Sequence, residues 1–206
     1  MELRYYGANC IKITTKKASL VVDDTLAKLG KKSILTEKDI SIVTNKDTSV
    51  TDKVLFKIDK PGEYEISEIT ITGVSTKLHY DPEKPSTMYS IHTNGINTVV
   101  LGHTVSDLTE QQLEALGIVD VLVVPVGDGG YTLDAIEALK VIKNIEPKIV
   151  IPVHYQSKGT NYEVPQSPID EFLKSYGSSD VVPEDALKLK DAFLPDKTRL
   201  VLLNEL

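Results

Sequence analysis

The chain of 206 residues has one cysteine, and its longest basic runs are the pairs Lys16-Lys17 and Lys31-Lys32. A lone Cys10 excludes an internal disulfide, so packing must hold the fold, and a reducing, cytoplasmic setting is expected. No apolar run approaches the ~20 residues that span a bilayer, and no membrane partner is expected. Binding a nucleic-acid backbone needs clustered lysine and arginine to displace counterions, and nucleic acid is not an expected partner either. The net charge of −7 favours solubility without selecting a partner. The opening Met1-Glu2-Leu3-Arg4-Tyr5-Tyr6-Gly7 lacks the charged lead and apolar core of a signal peptide. No glycine-rich stretch runs into Gly-Lys-Ser/Thr, and no serine sits in a nucleophile-elbow pattern.

What is present reads as one domain over 1–206, with an apolar content of 41% that suffices for a sizeable core. The first half predicts short strands over 3–6, 10–14, 19–22, 40–44 and 54–58, then an alternating strand over 66–74 after the turn Pro61-Gly62. Residues 79–86, with Pro82 and Pro85, read as a loop. Strands over 88–92 and 97–101 flank Asn94-Gly95, a hairpin signal. The second half alternates helix and strand. Thr109 and Gln112 form a capping box, Leu108 and Leu113 a hydrophobic staple, and Gly117 ends that helix. Unbroken Val/Leu content predicts buried strands over 119–125 and 148–153, around a helix over 132–144. Ser167-Pro168-Ile169-Asp170 opens a last helix that Gly177 closes, and a strand over 199–203 follows. Strands first, then strands alternating with helices, suggest two packed sheets with helices outside, an α/β (α+β) arrangement.

Leu101-Gly102-His103, Leu108-Thr109-Glu110-Gln111-Gln112-Leu113, Val119-Asp120-Val121-Leu122-Val123-Val124-Pro125-Val126-Gly127 and Pro147-Lys148-Ile149-Val150-Ile151-Pro152-Val153-His154 follow one another in order. Together with Val21-Val22-Asp23 and Pro61-Gly62-Glu63-Tyr64-Glu65-Ile66, they resemble the metallo-β-lactamase-fold metal-dependent hydrolases, in the branch related to ascorbate-6-phosphate lactonase. The resemblance spans roughly residues 1–160. It implies a four-layer αββα sandwich with a site along one edge of the two sheets. It also implies one or two metal ions, held by an HxHxDH motif and later His, Asp and His ligands, which turn bound water into hydroxide.

This sequence departs from that motif. The positions that should read His, His, Asp and His are Asn45, Asp47, Ser49 and Val50, with Lys46 among them. The middle histidine should fall near Leu78 or His79, the later Asp is replaced by His103, and His154 is retained. Valine donates nothing to a metal and asparagine little, so an ordinary dinuclear site is not expected. Two readings of function follow. The first is a hydrolase homologue without cofactor, a pseudoenzyme serving as a binding or assembly module. The second is a hydrolase of a phosphoester, lactone or amide, with one zinc or other divalent ion held by His103, His154 and Asp47. That trio rests on the fold analogy, and His154 alone carries over from the family. Asp23 matches the family's aspartate that supports the ligands from behind, and it equally suits a simple turn cap. His79 and His92 read as solvated, and Cys10 as a small buried hydrophobe. Gly127-Asp128-Gly129-Gly130-Tyr131 reads as a strand-to-helix connection. Assembly into a homo-oligomer through a sheet edge or helix is a third reading.

Overall fold

The computed structural model describes residues 1–46, 53–178, 180–189 and 194–206. Two sheets share one apolar core. The first sheet is built from β1 (Glu2–Gly7), β2 (Cys10–Thr14), β3 (Ser19–Val22), β4 (Asp39–Ile42), β5 (Phe56–Ile58) and β12 (Leu187–Lys188), in the order β12-β1-β2-β3-β4-β5. The second holds β6 (Gly62–Ile66), β7 (Ile69–Lys77), β8 (Pro85–Thr93), β9 (Ile96–Val100), β10 (Val121–Pro125), β11 (Ile149–Val153) and β13 (Arg199–Leu200), in the order β13-β11-β10-β9-β8-β7-β6. Alternation along β1 and β2 places Leu3, Tyr5, Ile11 and Ile13 in the shared core. Cys10 and Val21 pack with Leu26 in a separate cluster, covered by Tyr6, Ile34 and Leu35. Cys10 is a free, buried thiol. The outer cover of the first sheet is thus the segment carrying a single 3-10 turn, Leu26–Leu29.

Helices α1 (Glu110–Leu116), α2 (Ala135–Ile145) and α3 (Ile169–Tyr176) cross between the parallel strands β9, β10, β11 and β13. Their caps follow the sequence closely. Thr109 accepts from the Gln112 N–H while its own N–H donates to Gln112 Oε1, closing the expected box. A second box, Asp134 with Glu137, starts α2 three residues later than the first residue expected for that helix. Pro168 occupies the N-cap of α3 and offers no side-chain cap. Gly177 closes α3 in the left-handed region.

Three local expectations are corrected. The alternating run after Pro61-Gly62 is a hairpin, because Ser67 and Glu68 both adopt positive φ and turn the chain between β6 and β7. Two non-glycine residues in that conformation give no turn signal in sequence. Strand β8 begins at Pro85, so the loop ends earlier than expected; a proline donates no ladder bond and is tolerated at a strand's first residue. The last strand is limited to Arg199–Leu200, with Leu203 pairing Glu184 in an isolated bridge. The Asn94-Gly95 hairpin forms as expected, both residues at positive φ.

The strand that delivers the first sheet to the site starts at Asp39, which is buried at 1% exposure. Its carboxylate accepts from Thr36 N–H and Oγ1–H, each at 2.8 Å, from Ser19 Oγ, and from Lys12 Nζ at 2.9 Å. Burial opposes ionisation, yet the bonds from Ser19, Lys12 and Thr36 outweigh it and hold the carboxyl below its ordinary range. Because the folded value is lowered, this stabilisation is present above the unfolded value near ~4 and fades as pH falls through the folded one. Replacing Asp39→Ala should cost about 3 kcal/mol in urea unfolding at pH 7, since it strands several buried donors. The gap to the parent should narrow below about pH 4; a gap independent of pH would contradict the assignment.

Candidate functional site

Asp23 follows β3, Thr44 and Asn45 follow β4, His103 follows β9, Tyr131 lies beyond β10, and His154 follows β11. Within each sheet these strands are parallel, so the carboxyl ends gather at one edge of the sandwich, where α/β folds place ligands.

Asp23 is buried and sits at φ 43°. It accepts from Thr44 N–H at 2.8 Å and from Thr44 Oγ1–H at 2.6 Å. Burial pushes its carboxyl up to about 6, against the pull of those two bonds. Thr44 in turn fills the space beside Gly102: a Cβ at Gly102, whose φ is +62°, would lie 2.4 Å from Thr44 Oγ1. A chain of contacts thus runs from Asp23 through Thr44 to Gly102, the residue before His103.

His154 has φ 54°, and its N–H donates to the Ala8 carbonyl at 2.9 Å and is 3.2 Å from Tyr5 Oη. A Cβ on Gly127 would lie 2.0 Å from the His154 carbonyl and 2.4 Å from Gln166 Oε1, so no side chain is tolerated there. The connection from Gly127 to Tyr131 is therefore tight because it passes directly under His154.

The two imidazoles meet. Their ring centroids are 4.8 Å apart in an edge-on arrangement, and both residues are buried. His103 Nδ1 lies 3.2 Å from the Tyr131 carbonyl, and His154 Nδ1 lies 3.1 Å from Gln166 Oε1. The Gln166 amide nitrogen donates to the carbonyls of Val164 and Pro165, which fixes its oxygen toward His154. A carbonyl oxygen only accepts, so each ring carries its proton on Nδ1 and keeps a lone pair on Nε2. Burial lowers both pKa values: His154 falls to about 4, and His103 lies well below its ordinary value, with the neighbouring His154 adding to the shift.

Tyrosines complete the surroundings. Tyr131 stacks on Tyr80 at 4.4 Å and meets His103 edge-on at 4.6 Å, while Tyr162 lies 5.2 Å from His154. These five rings border a cavity of about 340 Å³ that Asn45, Lys28 and Glu163 also line. Tyr162 is anchored, accepting from the Ala8 N–H at 3.3 Å and donating to the Tyr155 carbonyl at 3.1 Å.

Of the residues singled out in sequence, His103 and His154 are brought together, and Asp23 is near them through Thr44. Asp47, Ser49 and Val50 lie outside the described residues. Leu78 is buried. His79, expected to be solvated, is half-buried, with Nε2 3.7 Å from Glu137 Oε2, because its N–H is drawn onto the His103 carbonyl. His92 is exposed on β8. Sequence reasoning missed Tyr80, Tyr162 and Gln166, which belong to irregular segments with no motif around them.

Among the described residues the site offers two imidazoles, fewer donors than a two-metal centre takes, and no group of three or more His, Cys, Asp or Glu side chains is placed to hold an ion. Likewise, among the described residues no helix is long and apolar enough to cross a membrane.

The two sheets, the crossover helices and a cavity at the strand ends define the metallo-β-lactamase sandwich. Residues 2–154 match the family described as the beta-lactamase superfamily domain, and the chain belongs to it. It is similar to a UPF0173 protein of Pyrococcus abyssi, 26% identical over 181 residues, covering 77% of this chain and 85% of that protein. A Thermotoga maritima protein described as a candidate Zn-dependent hydrolase of the metallo-β-lactamase superfamily superposes with TM-score 0.79 at 27% identity, covering 98% of this chain and 97% of that one. Igni18, a metallo hydrolase of Ignicoccus hospitalis, shares the fold at TM-score 0.60 and 17% identity, over 92% of this chain and 99% of that one.

The lowered histidine values have a measurable consequence. The unfolded chain takes up a proton near ~6.5 where folded His154 does not, so stability falls as pH drops from that value toward the folded one. His154 should account for about 2 kcal/mol of the stability lost between pH 7 and pH 5. Imidazole nitrogen NMR should show it neutral with the proton on Nδ1 throughout that range; protonation near pH 6.5 would refute the assignment.

Proposed function

We propose that this chain is a ligand-binding member of the metallo-β-lactamase-fold hydrolase family, its strand-end cavity taking a small organic molecule in place of two-metal hydrolysis. The observation that carries the reading is the composition of the cavity: two imidazoles and three tyrosines in mutual contact, where a two-metal site needs a cluster of charged and imidazole ligands. A volume of about 340 Å³ suits a small ligand. The cytoplasm is the compartment that agrees with a free, buried Cys10. Elemental analysis for zinc, manganese and iron after purification without chelator tests the reading. Well under one ion per chain, with no phosphodiesterase or lactonase turnover, is expected. Two ions per chain with turnover would sink it.

One observation favours a second reading. Both imidazoles keep Nε2 lone pairs while donating Nδ1–H to carbonyls, the arrangement that orients histidine ligands in metal sites. With Asp47 as a third donor, one divalent ion there would supply Lewis acidity for hydrolysis of a phosphoester, lactone or amide. On this reading His154→Ala abolishes both metal uptake and hydrolysis; a variant that keeps either one counts against it.

A further inference from the structure

Resting on the ligand-binding reading, we propose that the cavity recognises an organic ammonium: a primary amine on a compact carbon skeleton, held by the tyrosine rings and by the Nε2 lone pairs of His103 and His154. Two features of the lining lead there. Its rings are contiguous, with Tyr131 stacked on Tyr80, edge-on to His103 and 5.8 Å from His154, and with Tyr162 beyond His154. Clustered aromatic rings attract a cation through their electron-rich faces, and the attraction grows where water is excluded. Both imidazoles also have their donor nitrogen already committed, His103 to the Tyr131 carbonyl and His154 to Gln166 Oε1. What each ring has left to offer is an acceptor, and an acceptor needs an N–H or O–H from the ligand.

The rim leaves the choice of sign to this lining. Lys28 and Glu163 both stand on the cavity wall and carry opposite charges, so neither a carboxylate nor an ammonium is selected by net charge alone. Lone pairs and ring faces repel a carboxylate and attract an ammonium. An ammonium's three donors match two Nε2 acceptors with one left over. A quaternary amine satisfies the rings and leaves both acceptors unmatched, which costs affinity when buried polar groups lose their partners. The preference is therefore for a primary amine over its neutral, anionic and quaternary counterparts.

The test uses the full chain and four probes of one shape: benzylammonium, benzyl alcohol, benzoate and benzyltrimethylammonium. Binding is read by calorimetry and by the nitrogen NMR shifts of the His103 and His154 rings. Benzylammonium should bind at least about tenfold more tightly than each of the others and shift both Nε2 resonances. Tyr131→Leu should weaken benzylammonium by about tenfold while Tyr131→Phe keeps it, with thermal unfolding confirming that both variants fold. Benzyl alcohol or benzoate binding as tightly as benzylammonium overturns the ammonium assignment and leaves a binding cavity standing. Failure of all four probes overturns the ammonium assignment and the ligand-binding reading together.

Discussion

The cavity depends on an atom that is absent: Gly127 has no Cβ, and the backbone of His154 together with the amide of Gln166 occupies the volume where one would be. From this close approach the rest follows. The Gly127 carbonyl accepts from the Ser167 N–H, and the Asp128 N–H bonds the Leu133 carbonyl, so the turn that leaves β10 is tied to the segment carrying Gln166. Gln166 then holds the His154 ring, and Tyr131, at the end of the same turn, holds the His103 ring. One close approach thus ties together the segments whose carbonyl oxygens face both imidazoles.

On the opposite sheet a buried carboxylate plays the corresponding part. Both carboxylate oxygens of Asp23 accept from Thr44, and burial raises its pKa to about 6. Thr44 then abuts Gly102, so the first sheet positions the residue before His103 without contacting the imidazole through any of these bonds. The two halves of the sandwich converge on His103 and His154 by different means, a hydrogen-bonded brace on one side and a backbone close approach on the other. Aromatic rings in mutual contact border the cavity between them.

Much of the scaffold was legible beforehand because its signals are local. The Thr109-Gln112 box, the Asn94-Gly95 turn, the Gly177 stop and the Val-rich parallel strands each carry their reason within a few residues. Where the reason is not local, reading failed. The Ser67-Glu68 turn is imposed by the pairing of β6 with β7, and the short β12 exists because the edge of β1 offers it a partner. The site divides the same way. His154 and His103 could be found by their position after buried strands, whereas Tyr80, Tyr162 and Gln166 lie in irregular segments whose neighbours are far away in the chain.

By itself, the order of residues determined the family and the two-sheet architecture, since these depend on periodicity, capping and the identity of side chains at known positions. Tertiary structure alone decided that two imidazoles face each other across 4.8 Å, that each is locked with its proton on Nδ1, and that tyrosines enclose them. The physical reason is range. Hydrogen-bond partners and ring neighbours are chosen by distance in space, and segments as far apart as Tyr80, beside His103, and Tyr162, beside His154, line one cavity only after the sheets have packed.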